Sequence, residues 1–193
     1  EMLLPIASSF GITIAFMPLF IGYFQMKKYG QEIRDEGPKW HQVKSGTPTM
    51  GGVVFLIAII FTSLWVGIWQ KQATPSLFIL LFILALYGLI GFLDDFIKIF
   101  KKRNMGLNSL QKLIGQIIGA IVFYLVYLTD GNINTVNVFG YDIPLSYAFG
   151  LFVVIWLVGF SNAVNLTDGI DGLVSGLGTI SFATYGIIAY AQA

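Results

Sequence analysis

Residues 76–93 read SLFILLFILALYGLIGFL, a run of eighteen residues without one charged side chain. The apolar residues follow one another without the alternating polarity that a transmembrane β-strand would show. A helix needs roughly 17–25 predominantly apolar residues to cross about 30 Å of hydrocarbon. This stretch therefore predicts a membrane-spanning α-helix.

The same pattern recurs along the chain. Six stretches lack Asp, Glu, Lys and Arg, namely 2–26, 45–70, 72–93, 113–129, 143–167 and 172–193. Each can hold one span, provided that Lys112 extends the shortest stretch by reaching toward the interface. We therefore predict an all-α, polytopic membrane helix bundle that forms a single integral membrane domain over residues 1–193. Its helices are expected near 2–26, 48–70, 74–93, 110–129, 145–161 and 173–192.

The composition excludes several classes of protein. Of 193 residues, 56% are hydrophobic and 11% are charged, against about 25% charged residues in soluble domains. A soluble globule and a disordered chain are both excluded by this balance. The chain has no Cys, so it forms no disulfide and has no thiol nucleophile. A net charge of +1 predicts no nucleic-acid partner.

The distribution of cations predicts the orientation. Ten of the eleven Lys and Arg residues lie in the first and third connections between predicted helices. The positive-inside rule places that face in the cytoplasm. By parity, Asp94, Asp95, Asp168 and Asp171 are then cytoplasmic too. Residues 130–143 fall on the opposite side, where their alternating Val and Phe predict a small extracytoplasmic hairpin.

The first candidate site is the segment GPKWHQVKSGTPTMGG, residues 37–52. A loop with Gly and Pro breakers accounts for any one of these residues. Together they offer Lys, His and two Thr hydroxyls at the start of the second helix. The Thr residues are expected to cap that helix, whose N-terminus would suit a phosphate.

The second candidate site is Asp94-Asp95-Phe96-Ile97-Lys98. One interpretation is a helix end in the head-group zone with an Asp94–Lys98 pair at i,i+4. That interpretation leaves Asp95 unexplained. Two adjacent carboxylates repel by roughly 3 kcal/mol at an effective dielectric of about 20. Mg²⁺, which takes carboxylates together with substrate phosphates, would relieve this repulsion.

The third candidate site is NAVNLTDGIDG, residues 162–172, which is expected to be a loop after the fifth helix. Asn, Asp and Gly usually mark a turn and nothing more. The spacing excludes an EF-hand. This loop nevertheless brings two more carboxylates to the face that already has Asp94 and Asp95. Acids surrounded by cations on one face are typical of a phosphoryl-transfer site.

These three segments, in this order and on one membrane side, resemble the MraY family. Its members are phospho-N-acetylmuramoyl-pentapeptide transferases of the polyprenyl-phosphate N-acetylhexosamine-1-phosphate transferase superfamily. The resemblance implies Mg²⁺-dependent transfer of phospho-MurNAc-pentapeptide from UDP-MurNAc-pentapeptide to undecaprenyl phosphate. The products would be lipid I and UMP, made for peptidoglycan synthesis. It also implies a multi-pass protein of the bacterial plasma (inner) membrane, surrounded by membrane lipid, with a cytoplasmic active site. A homodimer is compatible with the sequence.

The resemblance also implies roles for individual residues. The catalytic residues would be Asp94, Asp95 and Lys98, and the two Asp would bind the metal ion. The substrate-binding residues would be Lys44, Thr49, Lys102, Asn162, Asn165, Asp168 and Asp171. A phosphate has its second pKa near 6, so the lipid phosphate is mostly ionised at pH 7. We therefore favour metal-binding and positioning roles over general-base catalysis.

Two family motifs are absent from the chain. These are a later Phe-Met-Gly-Asp-x-Gly-Ser segment, which supplies another metal-binding Asp, and a triple-His motif; His41 is the only His. The expectation is that the chain is the N-terminal six-helix portion of a longer enzyme and is inactive alone.

Three alternatives remain open from the sequence. A related transferase could transfer GlcNAc-1-phosphate, although the Asn-Leu-Thr-Asp and Thr-Pro-Thr-Met motifs favour the MurNAc enzyme. A transporter component usually has ionisable residues inside its spans, and the six uncharged stretches given above have none. A structural scaffold would leave the paired Asp residues unexplained.

Overall fold

The computed structural model describes residues 3–27, 29–30, 47–101, 106–129 and 134–192. These residues form six α-helices and one two-stranded sheet. The elements are α1 (Leu3–Met26), α2 (Gly52–Trp69), α3 (Pro75–Phe100), α4 (Ser109–Thr129), β1 (Thr135–Val138), β2 (Tyr141–Pro144), α5 (Ala148–Thr167) and α6 (Leu173–Gln192). All six helices are long and apolar enough to cross a membrane. The predicted all-α, polytopic fold is confirmed.

The chain divides into two compact units, an N-terminal unit (Glu1–Ile133) and a C-terminal unit (Asn134–Ala193). In the N-terminal unit α1 packs on α2, α2 on α3 and α3 on α4. In the C-terminal unit α5 contacts α6, and β1 pairs with β2 in an antiparallel hairpin.

Small residues allow the helices of the N-terminal unit to approach closely. A methyl group at Gly88 of α3 would lie 2.6 Å from Leu56 Cδ1 of α2. A methyl group at Gly119 of α4 would lie 2.8 Å from Leu86 Cδ2 of α3. A larger residue at either position would require the neighbouring Leu side chain to shift. Glycine therefore allows the present close packing, which is the main attraction between helices in lipid.

Consecutive helices are antiparallel, because the end of α2 contacts the start of α3 (Gly67 and Leu77) while Leu56 of α2 contacts Gly88 of α3. Gly30 after α1 pairs with Pro48 before α2, so α1 and α3 end where α2 and α4 begin. Near that end Tyr29 lies between Phe24 and Phe100, with ring centroids 5.7 Å and 6.2 Å away. Four of the five Lys residues described in this unit lie there, namely Lys27, Lys98, Lys101 and Lys112. We call this the cation-rich end of the unit; Lys71 lies at the other end.

Side-chain caps set the starts of α3 and α4. Thr74 Oγ1 accepts a hydrogen bond from Leu77 N (3.3 Å), and Pro75 occupies the first turn of α3. Before α4, Asn108 Oδ1 accepts from Gln111 N (2.7 Å), while Gln111 Oε1 accepts from Asn108 N (3.0 Å). This reciprocal pair is a capping box, and it fixes where the chain enters α4.

The predicted start of α2 is wrong. The helix begins at Gly52, and its N-cap is Gly51, which makes no side-chain cap bond. Met50 adopts a left-handed conformation (φ 65°), and this turn separates Thr49 from the helix. Thr49, whose Oγ1 has no hydrogen-bond partner among the described residues, therefore does not cap α2, contrary to our expectation.

The hairpin is confirmed. Thr135 pairs with Pro144 and Val138 with Tyr141, and the two-residue turn between them has positive φ at both Phe139 and Gly140. Two positive φ values give the backbone twist that antiparallel strands need in a tight hairpin.

Candidate active site

Asp94, Asp95 and Lys98 lie inside α3, because this helix continues to Phe100. The predicted helix end near residue 93 is therefore wrong. The i,i+3 and i,i+4 spacing brings Lys98 beside both acids. Its ammonium group offsets part of their negative charge within α3, and the helix continues past them. At 26 residues α3 is about 39 Å long, which exceeds about 30 Å of hydrocarbon.

Asp94 is buried at the cation-rich end and is surrounded by donors. Its Oδ2 lies 2.7 Å from Lys98 Nζ and 3.0 Å from Lys112 Nζ of α4. Its Oδ1 accepts a hydrogen bond from Leu107 N at 2.8 Å. Its side chain is only 10% exposed. Asp94 thus joins the end of α3 to the segment that leads into α4.

Asp95 has a more open environment. Its Oδ1 lies 2.9 Å from Lys98 Nζ, and its side chain is 34% exposed. Among the described residues, the contacts of this carboxylate involve only that one oxygen. Lys98 therefore bridges the two acids, one of which is enclosed while the other faces outward.

We call Asp94, Asp95, Lys98 and Lys112 the Asp94 cluster. Its two carboxylates and two ammonium groups sum to zero charge. The repulsion between the acids, which favours a divalent cation when the sequence is considered alone, is offset here by two Lys side chains. The need for a metal ion therefore does not follow from that repulsion.

Lys112 is the member of the cluster that the sequence did not predict. From the sequence, we expect Lys112 only to extend the fourth helix toward the membrane interface. The feature that could have predicted this contact is the position of Lys112 in the first turn of α4, directly after a short connection. In antiparallel neighbours joined by such a connection, the last turns of one helix lie beside the first turn of the next. Lys112 is thus placed opposite Asp94.

Asp95 fits a divalent cation better than Asp94 does. Mg²⁺ commonly takes one or two carboxylates and completes its shell with water and substrate phosphates. Within the described ranges, no three His, Asp or Glu side chains lie together as a ready-made metal site. Asp95 has an outward carboxylate for such a role, whereas three donors already surround Asp94.

The first six residues of the segment 162–172 are helical, which corrects the first half of the predicted loop. Helix α5 continues to Thr167, well beyond the expected end near 161. Asn162 Nδ2 donates to Val158 O (2.8 Å), and Thr167 Oγ1 donates to Ala163 O (2.9 Å). Because these side chains bond to carbonyls four residues back, they do not compete for the helix N–H groups, and the helix persists.

The turn between α5 and α6 comprises residues 168–172. Asp168 is the C-cap of α5, and Gly172 has a left-handed conformation (φ 82°). Asn165, Asp168 and Asp171 are all exposed. Asn162 and Asn165 lie one turn apart, on the same face of α5.

The remaining predicted residues fall elsewhere. Lys44, Lys102 and His41 lie outside the described residues. Thr49 belongs to the N-terminal unit, and its Oγ1 is buried without a hydrogen-bond partner in the described part of the chain. The convergence of Asp94 and Asp95 with Asp168 and Asp171 stays a prediction, because the two pairs belong to different units.

Comparison with known proteins identifies the family. Residues 77–193 match the sequence profile of glycosyl transferase family 4. The chain belongs to this family. Residues 44–56 also match phospho-N-acetylmuramoyl-pentapeptide-transferase signature 1, which covers the end of the first candidate segment. The match of the family profile covers the Asp94 cluster, α5 and α6.

Individual relatives agree with this assignment. The chain is 73% identical over 193 residues to the phospho-N-acetylmuramoyl-pentapeptide-transferase of Enterococcus hirae and 66% identical to that of Enterococcus faecalis. It is 50% identical over 188 residues to that of Listeria monocytogenes. All of this chain matches the two Enterococcus proteins but spans only 60% of their length. The six apolar helices and this family membership make it a multi-pass membrane protein.

Proposed function

We propose that the chain forms part of a phospho-N-acetylmuramoyl-pentapeptide transferase of the bacterial plasma membrane. The reaction joins a water-soluble nucleotide sugar to a lipid, so its site must lie where cytoplasm meets membrane. The observation that carries the proposal is the Asp94 cluster at the cation-rich end of an apolar bundle. Relatives with this activity in their names, up to 73% identical, support the same conclusion.

The proposed chemistry is a phosphoryl transfer. An oxygen of undecaprenyl phosphate attacks the phosphorus bonded to the sugar of UDP-MurNAc-pentapeptide. The new P–O bond forms as the pyrophosphate P–O bond breaks, and UMP leaves with the electron pair. The products are lipid I and UMP. The lipid phosphate is mostly ionised at pH 7, so no side chain has to remove a proton from it.

In such a reaction the protein mainly positions phosphates and offsets their charge. The Lys98 ammonium, which two carboxylates hold in place, would contact a phosphate group, and Lys44 and Lys102 would do the same. Mg²⁺, when bound, would neutralise charge on the pyrophosphate, and Asp95 would be its ligand in this chain.

The nucleotide would bind to exposed polar groups. Asn165, Asp168 and Asp171 offer amide and carboxylate groups that reach solvent, and these groups suit the hydroxyl and N–H groups of a nucleoside. Asn162 lies on the same face of α5 as Asn165. Thr49 of the signature segment does not belong to these exposed groups, because its hydroxyl is buried.

The test is UMP release from UDP-MurNAc-pentapeptide with undecaprenyl phosphate and Mg²⁺ in detergent. Two proteins are compared: the 193-residue chain alone, and a chimera in which this chain replaces the matching 60% of the Enterococcus hirae relative. We expect the chimera to release UMP and the chain alone to release none. A chelator should abolish the release.

Replacing the substrate with UDP-GlcNAc is the matched specificity control. We expect no UMP release from it. Preferential use of UDP-GlcNAc would favour a GlcNAc-1-phosphate transferase. A chimera that is folded but inactive with both substrates would overturn the proposed function.

A further inference from the structure

The two acids of the Asp94 cluster differ in what surrounds them. Asp94 has a side chain that is 10% exposed, and it contacts two ammonium groups and one backbone N–H. Asp95 is 34% exposed and contacts one ammonium group. A ligand from solution therefore reaches Asp95 more easily than Asp94, although the two residues are adjacent in sequence.

Asp94 also fixes the connection between α3 and α4. Leu107 N donates to Asp94 Oδ1 at 2.8 Å. Gly106 packs so tightly that a methyl group there would overlap the Asp94 carboxylate and the Asp94 carbonyl oxygen. Directly afterwards, the Asn108–Gln111 capping box starts α4. The chain thus runs over Asp94 at a position where only glycine fits.

Lys112 completes this anchor from α4. Its ammonium lies 3.0 Å from Asp94 Oδ2, the same oxygen that Lys98 approaches to 2.7 Å. Two ammonium groups on one carboxylate oxygen leave little room for a metal ion, which must approach an oxygen to about 2.1 Å. They also make Asp94 the shared counter-ion that holds both Lys side chains in place.

We propose that Asp94 is a positioning residue, which anchors the α3–α4 connection through Lys112 and holds Lys98 in place. Asp95 is then the one carboxylate of the pair that reaches a divalent metal ion or a phosphate-bearing substrate. The assignment to Asp95 rests on the function proposed above. The anchoring role of Asp94 does not, because it concerns contacts within one unit.

The anchoring role is tested by hydrogen exchange at Leu107 N in the 193-residue chain in lipid nanodiscs. Asp94→Ala removes the acceptor of that N–H, and we expect exchange to accelerate about tenfold or more. Asp95→Ala is the matched control, and exchange should stay within about twofold. Equal protection in both variants would overturn the anchor.

Lys112→Gln keeps this test decisive if Asp94→Ala fails to fold. It removes one ion pair and leaves the carboxylate in place. Exchange at Leu107 N should still accelerate, whereas Lys101→Gln, which removes an exposed charge next to α3, should leave it unchanged. Identical exchange in these two variants would contradict the role of Lys112.

The assignment to Asp95 is tested in the chimera with Mn²⁺ as a paramagnetic substitute for Mg²⁺. Electron paramagnetic resonance should show at least about tenfold weaker Mn²⁺ binding in Asp95→Asn, because a charged ligand is lost. Asp94→Asn should change the affinity less than about threefold. The reverse order would overturn the assignment.

Turnover by the chimera separates positioning from substrate binding. Lys112→Gln should lower kcat about 10–100-fold with little change in KM, and Lys112→Arg should restore most of it. Equal losses in Lys112→Arg and Lys112→Gln would contradict the positioning role. Absence of UMP release from the unsubstituted chimera would refute the proposed function, while the exchange experiment would still decide the anchor.

Discussion

The Asp94 cluster and the segment 162–172 are both rich in acids, yet they are organised in opposite ways. In the cluster, two carboxylates and two ammonium groups pair with one another, and Asp94 is buried. In the segment, Asn165, Asp168 and Asp171 are exposed, and the C-terminal unit has no described Lys or Arg to pair with them. The cluster has no net charge and encloses Asp94, whereas the segment is acidic and exposed.

The polar residues of the cluster are therefore structural, whereas those of the segment are accessible to a ligand. Internal ion pairs hold Lys98 in place before any ligand arrives, so that its orientation costs no ordering during the reaction. Exposed groups at a helix end are in contact with solvent, so a ligand from solution can reach them. We therefore expect substitutions in the cluster to affect both stability and turnover, and substitutions in the segment to affect chiefly binding.

The largest effect on turnover is expected at Asp95, the carboxylate of the cluster that a ligand can reach most easily. Asp95→Asn keeps the shape and removes the charge, so kcat of the chimera should fall about 10²–10³-fold. UMP release measures it. Asp142→Asn, the same change at an exposed site in the hairpin, is the control and should leave kcat within about twofold. A similar loss of kcat in both variants would contradict a specific role of Asp95 in the reaction.

A large loss of stability is expected from Gly106→Ala. The added methyl group would overlap Asp94, and such overpacking typically costs about 1–3 kcal/mol. Thermal unfolding in detergent measures it. Gly91→Ala in α3 is the control, since a methyl group there meets no atom of the described residues within 4 Å. Equal unfolding temperatures of the two variants would show that a methyl group can be accommodated at position 106.

A smaller effect, confined to binding, is expected at Asn165 in the exposed segment. Asn165→Ala should raise KM for UDP-MurNAc-pentapeptide about tenfold, as expected for one lost hydrogen bond to substrate. The unfolding temperature should not change. Asn137→Ala in the hairpin is the control for KM. A drop in stability without a change in KM would place Asn165 among the structural residues.

The smallest effect is expected at Gly172, which turns the chain from α5 into α6. Its φ of 82° lies in the left-handed region, so Gly172→Ala should cost about 1–2 kcal/mol at most. Gly169→Ala in the same turn is the control, because its methyl group would make only ordinary contact, 3.9 Å from Leu166 O. Hydrogen exchange at the start of α6 measures the difference, and equal exchange would contradict it.

Much of the fold was predictable from the spacing of charges. Uninterrupted apolar stretches predicted all six helices, because a helix is the only open-chain structure that satisfies its own backbone in lipid. The errors fall at helix ends with polar residues. Asp94 and Asp95 were expected to end α3, and Asn162 to begin a loop, but side-chain bonds to Lys98 and to Val158 O allow both helices to continue.

The candidate site was predictable in part. Asp94, Asp95 and Lys98 come together because helical spacing places them on neighbouring turns. Lys112 could not be recognised as their partner from spacing alone, since it lies on another helix. The unequal exposure of Asp94 and Asp95 could not be predicted either, because residue type and position in the chain do not indicate which groups pack against a side chain.

The class of protein, the six apolar helices, the hairpin and the family resemblance could all be predicted from the amino-acid sequence, because hydrophobic length, turn residues and short motifs are local properties of the chain. The enclosure of Asp94 by Lys98, Lys112 and Leu107 N, and the greater exposure of Asp95, became apparent from the packing of the helices. The physical reason is that burial and ion pairing depend on which helix lies alongside, and packing of antiparallel helices brings together residues that are remote in sequence.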